Sequence, residues 1–152
     1  MLAVKIIAVG KLKEKFYIDA CGEYLKRLKT MANVEIIELP EETSRADGLE
    51  RESVRIFESI PKQSLVCAMC IEGKLMDSEA FAGYISDAQT RGFSQITFII
   101  GSSNGLHQSV KERAELRLSI SPMTFPHHLA RVLVLEQVYR ALSINGGSKY
   151  HK

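Results

Sequence analysis

The chain alternates short apolar runs with longer amphipathic stretches from its first residues to its last. The apolar runs are continuous in Val, Ile and Leu, which is typical of parallel strands buried on both faces. They predict strands over Leu2–Val9, Val34–Leu39, Leu65–Ile71, Ile96–Ile100 and Leu116–Ile120. The amphipathic stretches predict helices over Phe16–Lys29, Ala46–Ile60, Ser78–Arg91, Leu106–Ala114 and Phe125–Ile144. This alternation predicts an α/β fold with a parallel sheet, and the length predicts one domain over residues 1–152.

The carboxyl ends of three predicted strands lead into unusual loops. These loops have the sequences "MCIEGK", "IIGSSNGLH" and "SISPMTFPHH". Parallel α/β sheets bind their ligands at this edge, so the three loops are the candidate site. The turn from Gly101 to Gly105 joins a strand to a helix and suits a phosphate or a close backbone approach to a ligand. It matches no dinucleotide or P-loop pattern, and an ordinary tight turn explains it as well.

The loop before the last helix is stiffened by two prolines. Pro122 fixes its own φ and favours an extended Ser121, and Pro126 is compatible with a first helical turn. Thr124 is the candidate N-cap. The segment between would expose backbone N–H and C=O groups that match an adenine edge. Met123 and Phe125 would then cover a ring, or in the simpler alternative they belong to the core.

Charge and cysteine content narrow the classes of function. The chain has 20 Lys and Arg against 18 Asp and Glu, a net charge of +2, which excludes a strongly basic nucleic-acid binder but permits local basic patches. No stretch approaches the ~18 apolar residues of a membrane span, and no export signal precedes the first strand. Three cysteines therefore indicate free thiols in the cytoplasm. Cys67 and Cys70 form a CxxC within a predicted strand, where their side chains point to opposite faces, which favours buried thiols over a zinc or redox pair.

Two adjacent histidines open the last helix. His127 and His128 cannot face the same way, and either can be structural or can face a pocket. Arg131 follows His127 by one helical turn, and Glu136 with Arg140 can form an exposed ion pair. No third potential metal ligand lies near the two histidines at a spacing typical of metal-binding motifs, so the sequence predicts no metal site.

The chain ends in "NGGSKYHK". A glycine-rich, cationic tail of this kind usually frays. The alternative is a short arm that carries Tyr150 and His151 over a site.

Taken together, several segments resemble a known family. "LPEE", "IEGK", "IIGSSNGLH", "LSISPMTFPHHLARVLVLEQVYRA" and the terminal "YHK" are similar to the ribosomal RNA large subunit methyltransferase H family, which are small SPOUT methyltransferases. The resemblance extends over the whole chain. It implies a SPOUT-type α/β domain with a deep trefoil knot, a homodimer, and methylation of N3 of a pseudouridine in bacterial 23S ribosomal RNA. The chain has Gly101-Ser102 where the family usually has two glycines, and a positive φ at Ser102 would be strained.

The resemblance also implies a site. S-adenosyl-L-methionine would lie in the knot, and the implied cofactor contacts are Met69, Gly101, Ile120, Ser121, Pro122, Met123, Thr124 and Phe125, with Gly105 shaping the turn. The implied catalytic set is His127 beside the methyl group, Arg131 and Arg140 for RNA phosphate or the dimer, and Tyr150 and His151 reaching a pocket of the partner subunit. The N3 imide is largely protonated at neutral pH, so His127 or His151 would take the proton, or a cation would stabilise the anion.

Two other readings are compatible with the sequence. One is a non-catalytic nucleotide- or ribosome-binding α/β module, which needs only the glycine-rich turn and basic patches. The other is a SPOUT methyltransferase that acts on tRNA. Near-neutral charge favours recognition of the assembled ribosome by shape as well as charge.

Overall fold

Five parallel strands form one sheet in the computed structural model, which describes residues 1–152. The strands are β1 (Leu2–Val9), β2 (Ala32–Leu39), β3 (Leu65–Leu75), β4 (Gln95–Ile100) and β5 (Leu116–Ser119). The helices are α1 (Lys15–Leu28), α2 (Gly48–Ser59), α3 (Ser78–Thr90), α4 (Gln108–Arg113) and α5 (His127–Asn145). The order across the sheet is β2-β1-β4-β3-β5, and every neighbouring pair is parallel. The predicted α/β class and all ten predicted elements are confirmed.

The sheet is covered on both faces, as its continuous apolar strands predicted. On one face α1, α3 and α5 pack over alternate strand residues such as Ile6 and Phe98. On the other face α2 and α4 cover the intervening residues, including Ile7 and Ile99. Alternation of side chains along each strand therefore feeds two separate cores. No helix of the structure combines the length and the apolar character required to cross a membrane.

The predicted start of α3 at Ser78 is confirmed, and the predicted start of α5 at Phe125 is corrected. Asp77 caps α3, because its side chain accepts a hydrogen bond from the backbone N–H of Ala80 at 2.7 Å. The candidate cap Thr124 lies outside α5, which begins at His127 after Pro126 and has no side-chain cap. The proline fixes φ at −56° and directs the chain into the helix without a capping hydroxyl.

The prediction of a buried thiol in β3 is confirmed for Cys67 and only in part for Cys70. Cys67 is buried in β3 and Cys70 is partly buried, and neither forms a disulfide. Burial raises the pKa of the Cys67 thiol far above its usual range, which keeps it protonated and unreactive.

Strand β3 continues beyond its predicted end at Ile71 and contains an irregularity. Leu118 of β5 is paired with both Met69 and Lys74, so the residues between them bulge around the edge strand. Gly73 lies against the backbone of β5, and a Cβ there would approach Arg117 and Leu118 backbone atoms to 2.7–2.8 Å. Only glycine permits so close an approach of two chain segments.

A buried guanidinium joins α5 to the far side of the sheet. Arg131 is 3% exposed, and its Nη1 donates to Glu38 Oε2 at 2.6 Å at the end of β2. Its Nη2 donates to the carbonyl of Gly10, just after β1, at 3.0 Å. A buried charge needs such partners, since leaving one unpaired costs several kcal/mol.

The same contact sets the protonation of Glu38. Partial burial raises the pKa of its carboxyl, but the hydrogen bond from Arg131, a second from the Leu12 backbone N–H and the nearby cations outweigh burial and lower the pKa overall. A lowered pKa in the folded chain means that this interaction stabilises the fold above the pKa of an unfolded Glu. The stabilisation disappears as the pH falls through the folded-state pKa.

We therefore expect Glu38→Gln to lower the free energy of unfolding at pH 7 by about 1–2 kcal/mol, since a charge-assisted bond to a buried cation is lost. The difference from wild type should shrink as the pH falls from the pKa of an unfolded Glu through the lowered folded-state pKa of Glu38, because the stabilisation is lost over that interval. Urea unfolding at pH 7 and pH 3.5 measures both effects. Glu23→Gln is the control, because the solvent-exposed pair of Glu23 with Arg27 contributes little to stability. Equal losses for the two variants at pH 7 would contradict the assignment.

Candidate functional site

A cavity of about 790 Å³ lies at the carboxyl edge of the sheet, where the three loops meet. Of the residues predicted to contact a cofactor, those that line it are Met69, Gly101, Gly105, Ile120, Ser121, Met123, Thr124 and Phe125. His127 at the start of α5 lines it as well. Pro122 does not. The cavity lies within the ~300–1,000 Å³ range of small-molecule sites.

The glycine-rich turn is folded tightly at its base. A Cβ on Gly101 would lie 2.3 Å from the carbonyl oxygen of Gly105, and Gly105 has a φ of +82°. Ser102 and Gly105 form an isolated bridge, with the Gly105 N–H donating to the Ser102 carbonyl at 2.9 Å. The backbone geometry of the turn therefore requires glycine at both positions.

Ser102 is accommodated without the strain that a positive φ would impose. Among residues other than glycine, only Gln63 has a positive φ. The Ser102 hydroxyl donates to Glu52 Oε1 at 3.1 Å, and Glu52 is 3% exposed. The other oxygen of Glu52 accepts the Glu42 backbone N–H at 2.8 Å. A carboxylate on α2 therefore links this turn to the loop that follows β2.

The proline-containing loop keeps its shape through one serine. The Met123 N–H donates to the Ser121 hydroxyl at 3.0 Å, and the Ser119 hydroxyl donates to the Ser121 carbonyl at 2.9 Å. The N–H groups of Ile120, Thr124 and Phe125 donate to no other group of the chain. Loop backbone donors of this kind are available to a ligand.

The core alternative for the apolar residues of this loop is wrong. Met123 is 75% exposed, and Ile120 and Phe125 are each 37% exposed. Large apolar side chains in solvent at the mouth of a cavity usually cover a ligand or a partner.

The opposite wall carries charge. Lys111 pairs with Glu72, and both side chains line the cavity. The hydrogen bond from Lys111 holds the pKa of the Glu72 carboxyl below its usual range, so this wall stays an ion pair at neutral pH. Sequence reasoning did not single out either residue.

His127 faces Glu41 across the other end of the cavity. Its Nε2 lies 3.5 Å from Glu41 Oε1 and is shielded from solvent without a hydrogen bond. The His127 and His128 rings are 4.1 Å apart, so the expectation that they cannot face the same way is wrong. Nε2 of His128 is likewise shielded and unpartnered. Burial and the neighbouring His127 lower the pKa of His128, so its imidazole is neutral at pH 7.

Four of the predicted catalytic residues do not line this cavity of their own chain. Arg131 is held in the buried contact with Glu38, so its guanidinium does not reach the surface as the RNA-phosphate expectation requires. Arg140, Tyr150 and His151 lie together farther along α5.

The terminal residues are packed on α5, so the expectation of a frayed tail is wrong for Tyr150 and His151. The Tyr150 hydroxyl donates to Glu136 Oε2 at 3.1 Å, and its ring lies 4.6 Å from the Arg140 guanidinium. Arg140 donates to His151 Nδ1 at 3.1 Å and to Glu136. The predicted Glu136–Arg140 pair exists, and it is partly buried beneath the tail.

Comparison with known proteins identifies the class. A family model described as "Predicted SPOUT methyltransferase" matches residues 2–151. The chain therefore belongs to the SPOUT methyltransferase family.

Close relatives identify the group within that class and confirm the resemblance found in the sequence. The ribosomal RNA large subunit methyltransferase H of Streptococcus uberis is 45% identical over 159 aligned positions, which cover 99% of this chain and 100% of the relative. The protein with the same name from Bacillus cytotoxicus is 47% identical, with 98% and 99% covered.

Solved structures share the fold. A probable methyltransferase from Bordetella pertussis Tohama I superposes with a TM-score of 0.59 at 16% identity, covering 91% of this chain and 93% of its own. A probable methylase family protein from Haemophilus influenzae gives a TM-score of 0.54 at 15% identity, covering 98% and 70%. At these identities the match concerns the arrangement of the chain alone.

We predict that Gly101→Ala weakens ligand binding to the cavity by at least about tenfold, because the new methyl collides with the Gly105 carbonyl and opens the turn. Isothermal titration with S-adenosylhomocysteine measures the loss. Gly83→Ala is the matched control, since no atom lies within 4 Å of the Cβ that alanine would add there on α3, and the substitution should leave affinity unchanged. Unchanged affinity in Gly101→Ala would mean that the turn does not shape the binding site.

Proposed function

We propose that this protein transfers a methyl group from S-adenosyl-L-methionine to N3 of a pseudouridine in bacterial 23S ribosomal RNA, on the assembled ribosome in the cytoplasm. In this proposal residues 1–152 are a single SPOUT methyltransferase domain. The observation that carries it is the convergence of the three loops and His127 on one cavity, in a chain 45–47% identical to proteins named ribosomal RNA large subunit methyltransferase H. Membership of the SPOUT methyltransferase family supports the expected cofactor, S-adenosyl-L-methionine.

The residues of the cavity fit this cofactor. Free N–H groups of Ile120, Thr124 and Phe125 supply donors for an adenine edge, and the exposed apolar side chains of the same loop supply cover for its ring. Met69, which follows the last β3 residue paired with β4, and Gly101, which follows β4, line the same cavity. When bound, the cofactor supplies an electrophilic sulfonium methyl group. The chain contributes alignment, which is worth several kcal/mol in a displacement reaction.

His127 is the proposed base. Its Nε2 faces Glu41 and is shielded from solvent, which leaves Nδ1 as the atom that accepts the N3 proton. The Glu41 carboxylate at 3.5 Å then stabilises the imidazolium. A correctly placed base of this kind accelerates a reaction by about 10²–10⁴-fold.

A second copy of the chain is part of the proposal. The apolar side chains of Ile71, Leu75, Ile120, Met123 and Phe125 are exposed around the edge strand β5, and a symmetric partner would cover them. Arg140, Tyr150 and His151 lie outside the cavity of their own chain. We assign them to the cavity of the partner subunit, where they complete the site. Arg131 in this scheme holds α5 in place.

A deep trefoil knot is also proposed. The bulge of β3 from Met69 to Lys74 wraps around Leu118 of β5. Shortly after Leu118 the chain enters the proline loop and then α5. Such a bulge is the part of the chain through which β5 and α5 would thread. Knots are rare exceptions to the topology rules.

Two lysines extend the site toward RNA. Lys11 and Lys13 lie in the exposed loop after β1, at the same edge of the sheet as the cavity, and form no ion pair. Lys15 and Arg27, by contrast, pair with Asp19 and Glu23. The proposed phosphate contacts are therefore Lys11 and Lys13.

The substrate test uses labelled S-adenosyl-L-methionine with ribosomes that lack the modification, with naked 23S ribosomal RNA, and with bulk tRNA. We expect label at a pseudouridine of the large subunit, with whole ribosomes preferred. Label on tRNA would favour the alternative SPOUT activity. No label on any RNA, with cofactor still bound, would favour the non-catalytic binding module.

We expect His127→Ala to lower kcat on ribosomes by about 10²–10⁴-fold, because the proton acceptor is lost. Affinity for S-adenosylhomocysteine should change little. His107→Asn is the control, since His107 caps α4 and Asn preserves the cap. A normal rate in His127→Ala would exclude this residue as the base and transfer that role to His151.

A further inference from the structure

Three potential metal ligands meet at the rim of the cavity. Glu41, His127 and His128 each place one ligand atom within 4.8 Å of the other two. Glu41 follows β2, and the histidines begin α5, so the fold assembles the group from distant parts of the chain. The proposed reaction uses no metal at this point.

The two imidazole nitrogens at this point have no other partner. Nε2 of His127 and Nε2 of His128 are both shielded from solvent, and neither forms a hydrogen bond. A buried polar atom without a partner costs about 1–3 kcal/mol. Two such atoms beside one carboxylate are the arrangement that a cation would satisfy.

The other ring nitrogen of His128 lies near a carboxylate, although beyond hydrogen-bond distance. Its Nδ1 lies 3.7 Å from Glu14 Oε2, so a carboxylate faces one ring nitrogen and leaves Nε2 free. Histidine ligands of metals usually donate their second N–H to such a carboxylate, which fixes the tautomer and the ring. Arg131, the nearest cation on α5, is already held by Glu38.

We propose that Glu41, His127 and His128 bind a divalent transition-metal ion of the zinc class. Two imidazoles and one carboxylate are a ligand set of zinc sites that retain an open position. Tetrahedral zinc needs ligand atoms about 3.3 Å apart. Side-chain rotation must bring the ligand atoms to this spacing from within 4.8 Å, and the 32% exposure of Glu41 leaves that ligand room to move. A neutral imidazole that binds a metal through Nε2 carries its proton on Nδ1, so bound metal would prevent Nδ1 of His127 from accepting the N3 proton.

The test uses untagged full-length protein with Co²⁺ as a spectroscopic probe and Zn²⁺ as a competitor. We expect a visible absorption band of tetrahedral Co²⁺ at one equivalent, which Zn²⁺ abolishes. His128→Gln should weaken binding at least about tenfold, since removal of even an outer contact of a metal site typically costs 10–100-fold. Glu41→Gln should also weaken it. The matched control His107→Asn should bind like wild type.

Circular dichroism establishes that each variant is folded, and Glu41→Gln replaces His128→Gln if the latter is not. The absence of a tetrahedral band, or a band of equal affinity in folded His128→Gln, would overturn the proposal. The readout is metal binding and not methyl transfer. A failure of the proposed RNA substrate would therefore leave the metal site intact, and a failure of metal binding would leave the proposed function intact.

Discussion

The position of α5 depends on one buried cation. Arg131 donates to Glu38 at the end of β2 and to the Gly10 carbonyl after β1, so the longest helix is joined to the edge of the sheet farthest from β5. A guanidinium that is 3% exposed depends on these two partners of its Nη atoms, since its buried Nε forms no hydrogen bond. Because α5 begins one turn before Arg131, the same contact sets where His127 stands relative to the cavity. An arginine that sequence reasoning assigned to RNA phosphate thus acts on the site through the helix that carries the histidine.

A second constraint is the approach of β3 to the backbone of β5. Gly73 lies so close to Arg117 and Leu118 that a single methyl group would separate the strands. This contact holds Met69 on one side of Leu118 and Lys74 on the other. The chain then leaves β5 directly into the loop whose N–H groups are free. The unusual backbone at this edge is therefore the direct neighbour of the groups proposed to hold the cofactor.

The sequence predicted the elements well because burial on both faces leaves a strong local signal of continuous apolar runs. It predicted the loops of the cavity because parallel strands place their carboxyl ends together. It missed contacts between residues far apart in the chain, such as Arg131 with Glu38 and His127 with Glu41, for which no local pattern exists. The tail was also misjudged. Composition favours fraying, yet Tyr150 finds both a carboxylate and a guanidinium on α5.

The segment after β2 shows how these parts are connected. In "LPEE" Glu41 faces His127, and Glu42 accepts a 3.0 Å bond from Arg55 of α2. The Glu42 N–H binds buried Glu52, whose other oxygen holds the Ser102 hydroxyl. These carboxylates have different partners because they differ in burial and in position along the chain. Glu38, four residues before Glu42, meets the buried guanidinium, whereas Glu41 at the rim meets an imidazole. One short acidic segment therefore positions α5, the proposed base and the glycine-rich turn together. A shift of this segment would disturb all three, although only Glu41 contacts the proposed base.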